Sequence, residues 1–302
     1  MSILNLFKIK PNQITIDISG CCNAHCPFCL RQMTQDVPSG LMPKEMFYEI
    51  MKQVRKIKSI KIVSLSAYGE AMLHPDFDEF VNYLYELNYK ILVITNMSLA
   101  NKHFESLLKT HFIIMSVEGY DKTTYEKSRE GLSFEQVEYN IEQFDKIIKE
   151  ERKNKHHTPE RMINCLLNTD TEIEKYNQKW QSLVDIVRVN YMVNPISWDK
   201  ENNKFTNISN SSNIILESNE KSERIICKEP FKTIVVHPNG ELALCCNDAN
   251  SKLDFGNYKN IKKSFLFNKN LNKIRKELLS KNPVICEKCT NNIIINRIEN
   301  KG

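Results

Sequence analysis

Six short runs rich in β-branched and aliphatic residues recur along the first two thirds of the chain: QITIDIS (13–19), IKIVSLS (60–66), KILVIT (90–95), FIIMSVE (112–118), RMINCLLN (161–168) and DIVRVNY (185–191). Each has the length of a strand. Between them, apolar positions return at helical spacing in PKEMFYEIMKQVRKI (43–57), with Pro43 in a first-turn position, in DFDEFVNYLYEL (76–87), and in SFEQVEYNIEQFDKIIKE (133–150), with Ser133 as candidate cap. Strands that alternate with helices read as parallel βαβ units. The predicted fold class is α/β, a parallel sheet whose six units suit an open or partial (β/α)6 barrel.

The pattern changes at Trp198. From there to Arg224 the chain is polar and rich in Asn and Ser, with one apolar island at Ile214–Leu216. This stretch is expected to be a linker, or a loop that orders on something else. FKTIVVHPNGELALCC (231–246) follows, two β-like runs joined by Asn239-Gly240, a dipeptide suited to a tight hairpin. A helical stretch, SFLFNKNLNKIRKELL (264–279), then leads to CEKC (286–289). The expected organisation is a barrel over 1–197, a polar linker over 198–224 and a small ββα unit over 225–302. EERKNKHHTPE (150–160) reads as a solvated connection, and no internal repeat is evident beyond the βα alternation.

Composition adds exclusions. With 41% apolar and 26% charged residues the chain has ordinary globular character. Its net charge of +5 arises from 42 basic and 37 acidic residues that are interleaved, so no basic arm points to nucleic acid. No run reaches membrane-spanning length and the N-terminus lacks a signal-peptide pattern, so a cytoplasmic location with no membrane partner is expected. The ten cysteines are uneven: Cys21, Cys22, Cys26 and Cys29 lie near the start, Cys227, Cys245, Cys246, Cys286 and Cys289 near the end, and Cys165 stands alone in an apolar run. Clustered thiols in a reducing compartment point to metal or redox ligands, whereas Cys165 reads as a small buried hydrophobe.

Cys22-x3-Cys26-x2-Cys29 falls on the loop directly after the first predicted strand. Three thiolates can hold three irons of a cubane and leave the fourth open, whereas a structural zinc asks for four ligands. This spacing, with Phe28 before the last cysteine, resembles the radical S-adenosylmethionine (radical SAM) superfamily. YGE after the second strand resembles its glycine-glutamate motif, with Tyr68 where the first glycine often stands. TNMS follows the third strand and SVEGYDKTTYEKSREGLSFEQV the fourth. The resemblance, over roughly residues 13–195, implies that Phe28, Gly69, Glu70, Thr95, Asn96, Ser116, Glu118 and Arg129 bind S-adenosylmethionine. Taken singly, Glu70 reads as a loop carboxylate, Arg129 as a helix charge and TNMS as a turn; the cysteine triplet makes them ligand candidates. Cys21 would break the three-residue gap and reads as a non-ligand.

Cys227, Gly240 and Cys245, followed by Cys286-x2-Cys289, resemble the auxiliary-cluster domains called SPASM and, in shortened form, twitch. The implied ligands of one auxiliary [4Fe–4S] cluster are Cys227, Cys245, Cys286 and Cys289, with Cys246 as the alternative to Cys245. No cysteine follows Cys289, hence the expectation of one cluster. A structural zinc ribbon is the alternative, since four thiolates in two groups would also hold zinc.

By resemblance, the reduced cluster cleaves S-adenosylmethionine to methionine and a 5′-deoxyadenosyl radical that takes hydrogen from substrate, with flavodoxin or ferredoxin as electron donor. A fully ligated auxiliary cluster suits electron transfer, so oxidation of a small polyol or sugar-like metabolite is the expected outcome. The alternative is maturation of a ribosomally made peptide by cross-link, thioether or epimerisation. The segment of about a dozen residues before the first strand is too short for a leader-binding domain, which lowers that expectation. A third class, an iron–sulfur or zinc scaffold without catalysis, predicts loss of the post-strand motifs, yet all are present. No catalytic acid or base is identified from the sequence.

Overall fold

The computed structural model describes residues 10–34, 36–167, 172–191, 196–199, 204–207, 227–251, 253–280, 286 and 294–299. The first part runs β1 (Gln13–Ile16), α1 (Leu30–Met33), α2 (Lys44–Val54), β2 (Ile62–Ser64), α3 (Phe77–Glu86), β3 (Lys90–Thr95), α4 (Phe104–Leu108), β4 (Phe112–Ser116), α5 (Lys122–Ser128), α6 (Phe134–Lys153), β5 (Glu160–Leu167), α7 (Ile173–Trp180) and β6 (Ile186–Tyr191). All six predicted strands form, and each pairs in parallel with its successor.

The alternation in the first run explains its place. Ile14, Ile16 and Ile18 share one face and are wholly buried in a core with Phe47, Ile50, Met51 and Val54 of α2. Thr15, Asp17 and Ser19 share the opposite face and are also buried. A strand enclosed on both sides, apolar on one and polar on the other, separates a packed layer from a chemically equipped interior. The helix starts follow their sequence signals: Ser133 accepts a hydrogen bond from Gln136 N (3.3 Å), and Pro43 is the residue before α2. Helix α6 runs three residues beyond the predicted stretch, into the segment read as a connection.

The tail does not stand apart from the sheet. After α8 (Glu229–Lys232), β9 (Thr233–Val236) pairs in parallel with β1, and β10 (Leu242–Ala243) pairs antiparallel with β9 through the turn at Asn239-Gly240. With β11 (Ile294–Glu299) antiparallel to β6, the sheet has nine strands in the order β10-β9-β1-β2-β3-β4-β5-β6-β11. Gly240, at φ +84°, allows the turn to touch Tyr258; a Cβ there would lie 2.4 Å from its ring. Gln53 of α2 is bonded on both sides to the tail, donating to Tyr258 O (2.5 Å) and accepting from Ile261 N (3.2 Å).

Two expectations are refined. The predicted long tail helix is two helices, α9 (Ile261–Phe267) and α10 (Lys269–Ser280), because Asn268 turns extended and its side chain accepts from Leu271 N (3.0 Å). Across the predicted barrel–linker boundary, β7 (Ile196–Asp199) forms an antiparallel pair with β8 (Lys204–Asn207), and the remainder of 198–224 lies outside the described residues. Among the described residues no helix is long and apolar enough to cross a membrane.

Candidate active site and auxiliary cluster site

The loop after β1 carries Cys22, Cys26 and Cys29, and three other post-strand loops close on it. From the β2 loop, Glu70 N donates to Cys21 O (2.8 Å). Gly69 is required at this approach, since a Cβ would lie 1.9 Å from Ser19 O and 2.5 Å from Cys21 O. From the β3 loop, Asn96 Nδ2 donates to Asn23 Oδ1 (3.1 Å) and lies 4.0 Å from Cys22 Sγ. From the β4 side, His25 N donates to Glu130 O (2.7 Å), and Arg129 Nη1 donates to Cys26 Sγ at 3.5 Å. The Arg129 guanidinium also lies 5.6 Å from the centre of the Phe28 ring and pairs with Glu118.

These groups are enclosed, and their electrostatics follow from that. Burial raises the Cys22 thiol and pushes Cys26 up to about 11, opposed at Cys26 by the positive Arg129. Burial works against the charge of Arg129, but Glu118 and Cys26 outweigh it and hold the guanidinium above its ordinary value. Glu70 is raised by burial, offset in part by Asn96 N and Met72 N, which donate to its two oxygens at 2.9 and 3.3 Å. Glu70 therefore ties the β2 loop to the β3 loop. Thr95 and Asn96 accept from Met97 N and Ser98 N (2.9 Å each), which shapes the TNMS turn around Met97 at φ +63°. Glu118 Oε1 is buried without a hydrogen-bond partner, and Ser116 ends β4, half-buried.

Sequence reasoning missed three supporting residues. Asp17 accepts from Ala67 N (3.1 Å) and Tyr68 N (3.4 Å), and burial raises it to about 7. Asn23 also donates to Ser98 Oγ (2.9 Å), and wholly buried Asn140 of α6 donates to Met97 O (2.7 Å) and Ser98 O (3.1 Å). The available signals were a carboxyl on the polar face of a strand short and apolar enough to be enclosed, Asp17 inside ITIDIS, and a polar residue at an apolar-periodic helix position, Asn140 in register with Val137, Ile141 and Phe144.

The second cysteine group lies at the sheet edge beside β1. Cys245 packs against the core while Cys246 is exposed, and burial followed by the neighbouring Cys246 pushes the Cys245 thiol well above its usual range. Cys245 also lies within electrostatic reach of Cys286. Cys227, half-buried, precedes α8; Cys289 lies outside the described residues. None of the nine described cysteines is joined in a disulfide.

The radical SAM superfamily pattern matches residues 16–168, just over half of the chain. The chain belongs to the radical SAM superfamily. A SPASM match, an iron-sulfur cluster-binding domain, covers residues 227–290. In fold the chain is similar to SuiB of Streptococcus suis bound to precursor peptide SuiA, at 16% identity and TM-score 0.67, covering 95% of this chain and 72% of that one. It is similar to anSMEcpe with bound AdoMet, at 19% identity and TM-score 0.59, covering 87% and 82%. BtrN in complex with AdoMet and 2-DOIA is 17% identical with TM-score 0.56, covering 93% and 94%. The tungsten-containing aldehyde ferredoxin oxidoreductase cofactor-modifying protein of Pyrococcus furiosus is 26% identical over 84 residues, 28% of this chain; the match spans 23% of that protein's length.

A radical SAM enzyme with a SPASM domain uses a [4Fe–4S] cluster, S-adenosylmethionine and auxiliary iron–sulfur chemistry. The residues present fit these groups. Cys22, Cys26 and Cys29 sense one another, and donors from Arg129 and Asn96 reach two of the sulfurs. Among the described residues no three His, Cys, Asp or Glu converge as ligands of a single metal ion do. A cubane asks for no such convergence, since each thiolate binds a different iron. The unpartnered Glu118 Oε1, beside the Arg129 guanidinium, is an acceptor that a bound cofactor can satisfy.

Proposed function

We propose that this radical SAM enzyme is an oxidoreductase acting on a small polyol or sugar-like metabolite. It holds the S-adenosylmethionine-binding cluster on Cys22, Cys26 and Cys29, and one auxiliary [4Fe–4S] cluster on Cys227, Cys245, Cys286 and Cys289. When bound, the first cluster and S-adenosylmethionine supply the hydrogen-abstracting chemistry of the superfamily. Glu70 offers its carboxylate to the cofactor's ammonium, Asn96 and Ser116 offer polar groups to the ribose, and Arg129, fixed by Glu118 and by Phe28, faces the carboxylate end. The barrel, linker and tail boundaries at 197/198 and 224/225 are part of this reading. So are a reducing cytoplasmic setting and reduced flavodoxin or ferredoxin as electron source.

The observation that carries the reading is the position of Cys245. Because β9 lies parallel to β1, the hairpin puts this enclosed thiol within electrostatic reach of Tyr68, the residue beside Gly69 and Glu70. A cluster held there by four protein thiolates has no open iron for substrate, which suits electron transfer during oxidation.

Peptide maturation is the second reading, favoured by the likeness in fold to SuiB, whose structure holds a precursor peptide. The test is anaerobic incubation of the reduced, reconstituted enzyme and S-adenosylmethionine with pools of polyols and sugars, or with peptides. Mass spectrometry follows 5′-deoxyadenosine and substrate mass. Loss of two hydrogens from a polyol or sugar is expected. Turnover with peptides alone overturns the first reading in favour of the second.

A further inference from the structure

Tyr68 stands where the superfamily's motif often has glycine, so its side chain is this chain's own addition to the cofactor loop. Its backbone N–H is held by Asp17 Oδ2 (3.4 Å), and its ring lies against His237, with centroids 5.5 Å apart and planes tilted by 35°. His237 itself is wholly buried and follows Val236, the register partner of Ile16, which brings it beside Asp17. The Tyr68 hydroxyl is enclosed and has no hydrogen-bond partner. An enclosed hydroxyl left unpaired is unfavourable, so its retention asks for an acceptor. His237 Nδ1 does not serve, being unpartnered as well.

The surroundings point to the tail thiols. His237, on which the Tyr68 ring rests, has Nε2 3.2 Å from Asp248 O, and Asp248 N donates to Cys245 O (3.1 Å). This side chain thus joins Tyr68 to the turn that carries the tail thiols, and Cys246, Cys245 and Asp248 are accordingly the charged groups nearest in effect to the Tyr68 hydroxyl. Cys245 in turn lies within electrostatic reach of Cys286, a second thiol of the auxiliary group. A donor next to thiolate or sulfide stabilises the extra negative charge of a reduced cluster, and hydrogen bonds to cluster sulfur are one of the protein's means of setting its potential.

We propose that the Tyr68 hydroxyl donates a hydrogen bond to sulfur of the auxiliary cluster, raising its reduction potential and tying it to the loop that carries Gly69 and Glu70. The inference rests on the reading of Cys245 and Cys286 as auxiliary ligands. The test uses the full chain with Cys22→Ala, Cys26→Ala and Cys29→Ala, reconstituted anaerobically so that only the tail holds a cluster. Its midpoint potential is read by EPR-monitored titration with and without Tyr68→Phe, which keeps the ring against His237. The expected result is about a tenfold fall in the reduced-to-oxidised ratio at fixed potential, a midpoint lower by about 59 mV for one electron. An unchanged midpoint overturns the hydrogen bond and leaves the ligand reading intact. A parent variant without iron overturns the ligand reading and the inference with it. Should Tyr68→Phe fail to hold iron, 3-fluorotyrosine incorporated at position 68 keeps the shape and makes a stronger donor. The midpoint should then rise, and no rise overturns the proposal.

Discussion

Arg129 Nη1 lies 3.5 Å from Cys26 Sγ, while its Nε is paired with Glu118, so one guanidinium spans the proposed cluster loop and the end of β4. Both partners of the ion pair are largely enclosed, at 12% and 1% side-chain exposure. Removing one of them leaves the other charge buried, which costs about 3–5 kcal/mol. Arg129→Ala should therefore lower the stability of the protein by about that amount in urea denaturation. Arg129→Lys keeps the charge but not the fork, and should recover only part of the loss. Equal stability of Arg129→Ala and the unaltered chain would show that the pair is not formed.

Gly69 and Glu70 act on the same contact in different ways. Gly69→Ala places a Cβ into Ser19 O and Cys21 O and must move the loop. Glu70→Ala instead removes the acceptor of Met72 N and Asn96 N and a candidate ligand group for the ammonium. Both should weaken S-adenosylmethionine binding, Glu70→Ala by about ten- to a hundredfold (~1.5–3 kcal/mol). Iron at Cys22, Cys26 and Cys29 should persist in Glu70→Ala. Equilibrium dialysis of the cofactor alongside iron analysis checks this, and wild-type affinity in Glu70→Ala refutes it.

Much of this arrangement is legible in the sequence. The six strands are, because fully buried parallel strands are written as apolar runs that local pattern reveals. The turn at Asn239-Gly240 is, because its chemistry is local. The union of β9 with β1 is not legible: it joins Ile14 to Ile234 across more than half the chain, and nothing in either run names its partner. Asp17 was passed over for a similar reason. One carboxyl among isoleucines has meaning only once the Ala67 and Tyr68 N–H groups are known to face it. Conversely, the cysteine spacing spoke clearly of a cluster yet gave no hint that Arg129, about a hundred residues away, reaches Cys26.

Asp17 also sets a pH dependence. Its folded value of about 7 lies above the ordinary value of 3.8, so the folded chain binds the proton more tightly than the unfolded chain. Between those values the folded state carries more protons, and stability falls as pH rises, levelling above about pH 7. From pH 5.5 to 7 this group should cost on the order of 2 kcal/mol. Asp17→Asn, which cannot ionise, should lack that part of the slope. Urea midpoints of the two proteins across pH 5.5 to 8 test it; parallel curves would mean that Asp17 does not titrate in this window.

Cys245 and Cys246 are adjacent in sequence but differ in setting, and the difference separates their roles. Cys245 packs against the core and senses Cys286, whereas Cys246 is exposed. A cluster ligand must face its partners across the hairpin, and of these two residues, in the bend and turn that follow β10, Cys245 is the one packed against the core. In the background with Cys22, Cys26 and Cys29 replaced by Ala, the tail should hold about four irons, one cubane. Adding Cys246→Ala should leave that content and the cluster's EPR signal in place. Adding Cys245→Ala should lose most of the iron and loosen the tail, since a site closed by distant thiolates contributes to folding as well as to chemistry. Retention of full iron by Cys245→Ala, with loss in Cys246→Ala, would exchange the two assignments. One zinc in place of iron in the parent would make the tail a structural ribbon.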